Sequence, residues 1–123
     1  MNGFSVTRLN HAVLYVRSAK AAAEFYEKAF GFVIAGEEFA GKAIFMRAAT
    51  TENHHDLGLF EVGPEAPRAV RGSTGLYHLA WEVGSIRDLA AAAQTLGELG
   101  ALTSASDHGV SKSLYGADPD GNE

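Results

Sequence analysis

Apolar and polar positions along the chain follow two periods, and each switch between them marks an element. From Leu9 to Val16 apolar and aromatic residues dominate, and no glycine or proline falls between His11 and Val16. That composition fits a pleated, half-buried strand. Strand parity puts His11, Val13 and Tyr15 on one face, and Ala12, Leu14 and Val16 on the other. The period then lengthens. Ala22, Phe25, Tyr26 and Ala29 recur at three- and four-residue spacing, which predicts a helix over Ala19–Phe30. Ser18 sits where its N-cap belongs and Gly31 where a helix ends. Phe32–Glu38 reads as a strand, Gly41 as a turn, Ala43–Ala48 as the hairpin partner and His55–Val62 as a fourth strand. Met1–Ser5 reads as a loose lead-in.

The order then starts again. Leu76–Ser85 repeats the layout of Leu9–Ser18: a His, a Val five later, a Ser seven later, at an offset of 67 residues. The predicted strand Gly75–Val83 leads through Ser85 into a helix over Ile86–Leu99, with Ile86, Leu89, Ala93 and Leu96 on one face. Gly100 closes it as Gly31 closes the first. A short strand near Leu102–Ser104, a strand over Ser111–Ala117 and the turn Asp118-Pro119-Asp120-Gly121 follow, and an eighth strand starts at Asn122. Gly63–Thr74, with Pro64, Pro67 and Gly72, is the long surface connection. A repeat this long points to two fused modules and not to a solenoid. Module one is expected at about 7–62 and module two at about 75–123, its last strand cut short at Glu123.

Composition narrows the function classes. A chain of 123 residues without a linker-like tract is expected to form one domain. The absence of cysteine excludes disulfides and thiolate metal sites and fits a reducing cytoplasm. Net charge is −5 with the ten Lys and Arg scattered, which argues against a nucleic-acid partner. No apolar run approaches the ~18 residues of a membrane helix, so no membrane association is expected.

Chemistry concentrates in the histidines: His11, His54, His55, His78 and His108. A lone His on a strand is more often structural than a ligand. Two in register across a duplication are different. If both modules curl alike, His11 and His78 converge on the inner face of one sheet. An imidazole pair there suits Zn, Fe, Ni or Cu, and a carboxylate as third ligand leaves an open site.

Strand–helix–three strands written twice, a His in the first strand of each copy and a closing Asp-Pro-Asp-Gly-Asn turn resemble the vicinal oxygen chelate superfamily. This superfamily holds glyoxalase I, fosfomycin and bleomycin resistance proteins and type I extradiol dioxygenases. The resemblance covers essentially the whole chain. It implies an α+β fold in which two βαβββ modules in tandem form a cupped mixed β-sheet around a central metal or ligand groove.

The pattern looks most like the extradiol dioxygenases. By that resemblance His11 and His78 are the two iron-binding histidines, and His55, in Asn53-His54-His55-Asp56, is the acid/base histidine, with His54 turned away. His108 matches a second-sphere histidine that contacts dioxygen, and Tyr115 a tyrosine that hydrogen-bonds the substrate oxygen. The third ligand of the family is a Glu two positions beyond Glu123. The implied cofactor is a divalent metal, Fe(II) first, with Mn, Zn or Ni also compatible. The implied partners are a small catechol-like substrate, O₂ and a second copy in a homodimer. Two alternatives stay open. One is a glyoxalase-type lyase or isomerase using Glu61, which lies six residues past His55, about 20 Å along a strand. The other is a metal-free binding protein of the bleomycin-resistance kind.

Overall fold

The computed structural model describes residues 3–123. Met1 and Asn2, the start of the expected lead-in, lie outside the described residues; 3–11 is exposed and enters no ladder. The first half runs β1 (Ala12–Val16), α1 (Ala19–Phe30), β2 (Val33–Glu38), β3 (Ala43–Arg47) and β4 (Leu57–Glu61). These strands form one mixed sheet in the order β1-β4-β3-β2, with β1 and β4 parallel and the other pairs antiparallel.

Parity decides which face is covered. Leu14, Val16, Ile44, Met46, Leu57 and Leu59 are buried beneath Ala19, Ala22, Ala23 and Tyr26 of α1. Each large side chain fully withdrawn from water stabilises the fold by roughly 1.5–3 kcal/mol. Val13 and Tyr15 point to the opposite, open face, as alternation requires. The Ser18 hydroxyl accepts the Ala21 N–H at 3.1 Å, and Gly31 ends the helix at φ 66° with its N–H donated to the Glu27 carbonyl.

The second half contains α2 (Ile86–Glu98) and the hairpin β5 (Leu102–Asp107) and β6 (Lys112–Gly116). Its pairing copies the first half. Val33, Gly36 and Glu38 pair with Arg47, Phe45 and Ala43, and 69 residues on Leu102, Ala105 and Asp107 pair with Gly116, Leu114 and Lys112. Both hairpins carry a register shift near their start. Ser85 caps α2 by accepting the Asp88 N–H at 3.1 Å, the equivalent of Ser18 at the 67-residue offset.

The expected strand Gly75–Val83 is the correction. Residues 76–83 are extended but join no ladder, although their sequence repeats that of β1. A strand is defined by its partner, and β1 gains its regularity from β4, to which it pairs from Ala12↔Leu57 to Val16↔Glu61. The pairing begins in the second half and goes no further. The Ala12 N–H donates to the Asp56 carbonyl at 3.1 Å, and 67 residues on the Leu79 N–H donates to the Glu123 carbonyl at 3.0 Å. The α2 helix is exposed as well. Its predicted apolar face corresponds to the buried face of α1, yet only Leu96 is buried and Ile86 is 64% exposed.

The halves meet through aromatic and polar contacts. Trp81 stands edge-on to Phe32 at 5.1 Å, and Phe25 packs against both the main core and the smaller cluster of Ala29, Leu96 and Ala101. The turn at 118–122 is tied to the first half: the Arg17 N–H donates to Asp120 at 3.2 Å and the Tyr26 hydroxyl to Asp118 at 2.9 Å.

Candidate functional site

The candidate residues fall into two groups. The first lies on the open side of the four-stranded sheet, where the start of β1 meets the loop before β4. The His11 and His55 rings stand 4.5 Å apart, and Phe45 of β3 packs on His55 at 5.0 Å. His11 Nδ1 is 2.8 Å from the Asn10 side-chain oxygen, a contact that fixes the ring's tilt. The loop is held by its own side chains. Asn53 donates to Asp56 at 2.7 Å and to the Asn10 carbonyl at 3.0 Å, and Asp56 accepts the Ala48 N–H at 2.9 Å. Arg8 donates to the Asn53 oxygen. Partial burial lowers the His55 pKa from the usual histidine value, and the neighbouring His11 and His54 act in the same sense. The nearby Asp56 carboxylate opposes that shift.

His54 is exposed and stays beside its neighbour. Its Nδ1 sits 3.0 Å from His55 Nδ1. Alternation would separate adjacent side chains, but 53 and 54 form a bend ahead of β4, and alternation begins only at Leu57.

The second group lies on the extended segment 76–83. His78 Nδ1 is 3.2 Å from a Glu123 carboxylate oxygen, and its ring is 6.2 Å from that of Tyr115 on β6. All three line a cleft of about 520 Å³ between 76–83, α2 and β6, which also draws on Leu14, Phe25 and Trp81. His108 is exposed in the β5–β6 turn, where its backbone N–H donates to the Ser111 carbonyl at 2.7 Å. Its neighbours Gly109 and Val110 line the rim of the cleft.

Among the described residues, no hydrogen bond, ion pair or ring contact joins the His11–His55 group to the His78–Glu123–Tyr115 group. Nor do any three His, Asp or Glu side chains come together to hold a metal ion. The donor types suit a divalent metal, but the described residues do not complete a three-ligand set. Glu61, the acid of the glyoxalase-type alternative, is occupied otherwise: its carboxylate accepts the Ala19 N–H at 3.0 Å at the N-terminus of α1.

The sequence reading missed Asp118. It saw a turn residue, but the carboxylate is buried at 7% exposure and accepts from the Tyr26 hydroxyl, the Asp120 and Asn122 N–H groups and the Asn122 amide. Only the turn motif signalled it. Its partner on α1 is 92 residues away and reads as one more aromatic on an apolar face.

This arrangement matches a known family over nearly the whole chain. The model of the Glyoxalase/Bleomycin resistance protein/Dioxygenase superfamily matches residues 8–123. The chain belongs to this superfamily. Within the glyoxalase/dioxygenase superfamily it is similar to the catechol-2,3-dioxygenase of Bacillus subtilis (strain 168), 32% identical over 117 residues. That match takes in 94% of this chain but 39% of the relative, so the chain spans about two-fifths of its length. A glyoxalase/bleomycin resistance protein/dioxygenase domain from Frankia sp. EAN1pec superposes with a TM-score of 0.79 at 20% identity, covering 96% of this chain and 94% of that one. A possible glyoxalase from Bacillus cereus superposes with a TM-score of 0.70 at 25% identity, covering 95% of each chain. The α+β fold with its mixed sheet is therefore that of the superfamily. The names attached to these proteins span dioxygenase and glyoxalase.

Proposed function

We propose that the protein is a metal-dependent extradiol-type dioxygenase that cleaves a small catecholic substrate with O₂, built as module one at about 7–62 and module two at about 75–123. One observation carries this reading. His11 and His78 occupy equivalent positions 67 residues apart, each immediately before a residue whose N–H donates to the equivalent carbonyl, Ala12 to Asp56 and Leu79 to Glu123. Each stands next to a group suited to proton handling, His55 for one and Tyr115 for the other.

In this reading His11 and His78 would hold Fe(II), with Mn, Zn or Ni as other occupants of the same donors, and the ion would supply Lewis-acid and O₂ chemistry when bound. The third ligand is a carboxylate two positions beyond Glu123 in a longer form of the chain. Parity supports that position, because its equivalent in β4 is Gly58. A Cβ on Gly58 would meet Val13 at 3.2 Å and Phe45 at 3.6 Å, on the open face, while Leu57 and Leu59 turn under the helix. A side chain there shares the face of His78.

This chain's own residues then handle the substrate. His55 accepts a phenol proton, since an imidazole changes charge near neutral pH. Tyr115 donates a hydrogen bond to a substrate oxygen, stronger as negative charge builds there. His108, next to the cleft-lining Gly109, is assigned to the O₂ side. A homodimer and a cytoplasmic setting belong to the same proposal. No helix among the described residues is long and apolar enough to cross a membrane.

The test is oxygen uptake on a panel of catechols by the chain continued through its next strand and loaded with iron under anaerobic conditions. Uptake with ring-cleaved product is expected, and Tyr115→Phe should slow it about 10-fold or more, the scale of one charge-assisted hydrogen bond. A parent that takes up no oxygen on any catechol overturns the reading. So does a Tyr115→Phe chain as fast as its parent for Tyr115's part in it.

A further inference from the structure

We propose that His54 and His55 form a second metal site, a two-imidazole chelate selective for Cu(II) and Ni(II). It goes beyond the function proposed above and needs neither His78 nor any residue after Glu123. The two Nδ1 atoms are 3.0 Å apart. With metal–nitrogen bonds of about 2.1 Å, that separation subtends about 90° at the ion. This is the cis angle of a square-planar or octahedral centre. A tetrahedral ion needs its ligand nitrogens about 3.4 Å apart at the same bond length. The spacing therefore fits Cu(II) and Ni(II) better than Zn(II), and Cu(II) also leads the usual affinity order.

Three further observations support a ligand site over a chance approach of two side chains. Neither imidazole has a hydrogen-bond partner other than the other ring among the described residues, so an ion that displaces the one shared proton meets no further competitor. The loop is braced before any ion arrives. Asp56 donates its N–H to the Met46 carbonyl at 2.7 Å, the Asn53 N–H donates to Thr51 at 3.2 Å, and Asn53 crosslinks to Asp56 and Asn10. A braced chelate loses less freedom on binding than two side chains on a loose loop. His54 is exposed and His55 half-buried, so an ion reaches the pair from solvent and keeps waters in its remaining positions.

Cu(II) and Ni(II) titrations of the 123-residue chain carrying His78→Ala test this directly, since that variant removes the histidine of the other group. Calorimetry should report one Cu(II) per chain, and the copper electron paramagnetic spectrum should show nitrogen ligation in a tetragonal field. Adding His54→Ala should weaken Cu(II) at least about tenfold, since even the supporting partners of a metal ligand are worth about 10–100-fold. His54→Asn, which keeps a polar side chain, should do the same, and circular dichroism should stay unchanged in both. Unaltered Cu(II) affinity after either His54 substitution overturns the proposal. So does loss of all copper binding in His78→Ala alone, which would leave the 3.0 Å contact as an imidazole–imidazole hydrogen bond only. Zn(II) bound more tightly than Ni(II) overturns the geometric selectivity.

Discussion

Replacing Tyr26 by Phe removes a single oxygen atom, and the surroundings of that atom set the size of the effect. The hydroxyl donates to Asp118 at 2.9 Å, both residues are buried, and the carboxylate has three other donors from its own turn. Phe keeps the ring, so the stacking on Phe32 at 6.2 Å and the edge contact with Phe25 at 5.2 Å survive. What goes is one hydrogen bond to a charged group in a desolvated place, worth about 1.5–3 kcal/mol. For a 123-residue chain with an unfolding entropy of about 2.1 cal/mol/K per residue, that loss lowers Tm by roughly 6–12 °C.

The assay is urea unfolding at neutral pH, with a fall in midpoint at constant slope. A second arm uses pH. Burial, with the charge of Asp118 and its hydrogen bond adding, raises the Tyr26 pKa far above the ordinary phenol value. The folded state therefore holds that proton more tightly than the unfolded chain. Tyr26's contribution is complete below the unfolded pKa near 10 and drains away as pH rises past it. Wild type should lose stability above about pH 10, and the gap to Tyr26→Phe should narrow there. A thermal-unfolding Tm change within about 2 °C, where 6–12 °C is derived, or an unchanged urea midpoint refutes the reasoning. A gap that widens at high pH refutes the linkage.

Three other perturbations read different parts of the molecule. Gly116→Ala places a Cβ 2.9 Å from the Ala101 carbonyl oxygen, a backbone atom that cannot step aside, and should cost about 1–3 kcal/mol in denaturant unfolding. Ser18→Ala and Ser85→Ala each remove a cap that accepts an N–H at 3.1 Å, and each should cost about 1 kcal/mol by the same measurement. His55→Ala in the iron-loaded, extended chain should leave iron content intact while slowing turnover by about 10²–10⁴-fold, and loss of iron would make His55 a ligand instead.

The elements of the first half were legible because each satisfies its own requirements locally. Ala19–Phe30 has its cap, its spacing and its terminating glycine in sequence, and the helix takes those bounds. The paired motif around His11 and His78 was legible for a different reason. It depends on comparing the chain with itself, and the hydrogen bonds of Ala12 and Leu79 repeat that comparison in space. Two things were hidden. The Tyr26–Asp118 bond joins residues whose individual signals, an apolar helix face and a turn, say nothing of each other. The approach of His54 to His55 depends on a bend that breaks strand alternation one residue before the pattern would separate them.

The failure of 76–83 to form a strand shows where sequence periodicity stops being sufficient. Its residues carry the same alternation as β1, and Leu79 and Trp81 pack on the core as their equivalents Ala12 and Leu14 would direct. The side-chain half of the code is obeyed. The backbone half is not, because ladder hydrogen bonds belong to a pair of segments and, among the described residues, only the Leu79 N–H finds a backbone partner, at Glu123. Side-chain burial and backbone pairing are therefore separable here. The cleft beside His78 and Tyr115 lies between 76–83, α2 and β6, and Leu96, the buried residue of α2, lines it together with both of them. Core packing and site geometry in the second half therefore share residues, and conditions that stabilise its fold should raise its ligand affinity in parallel.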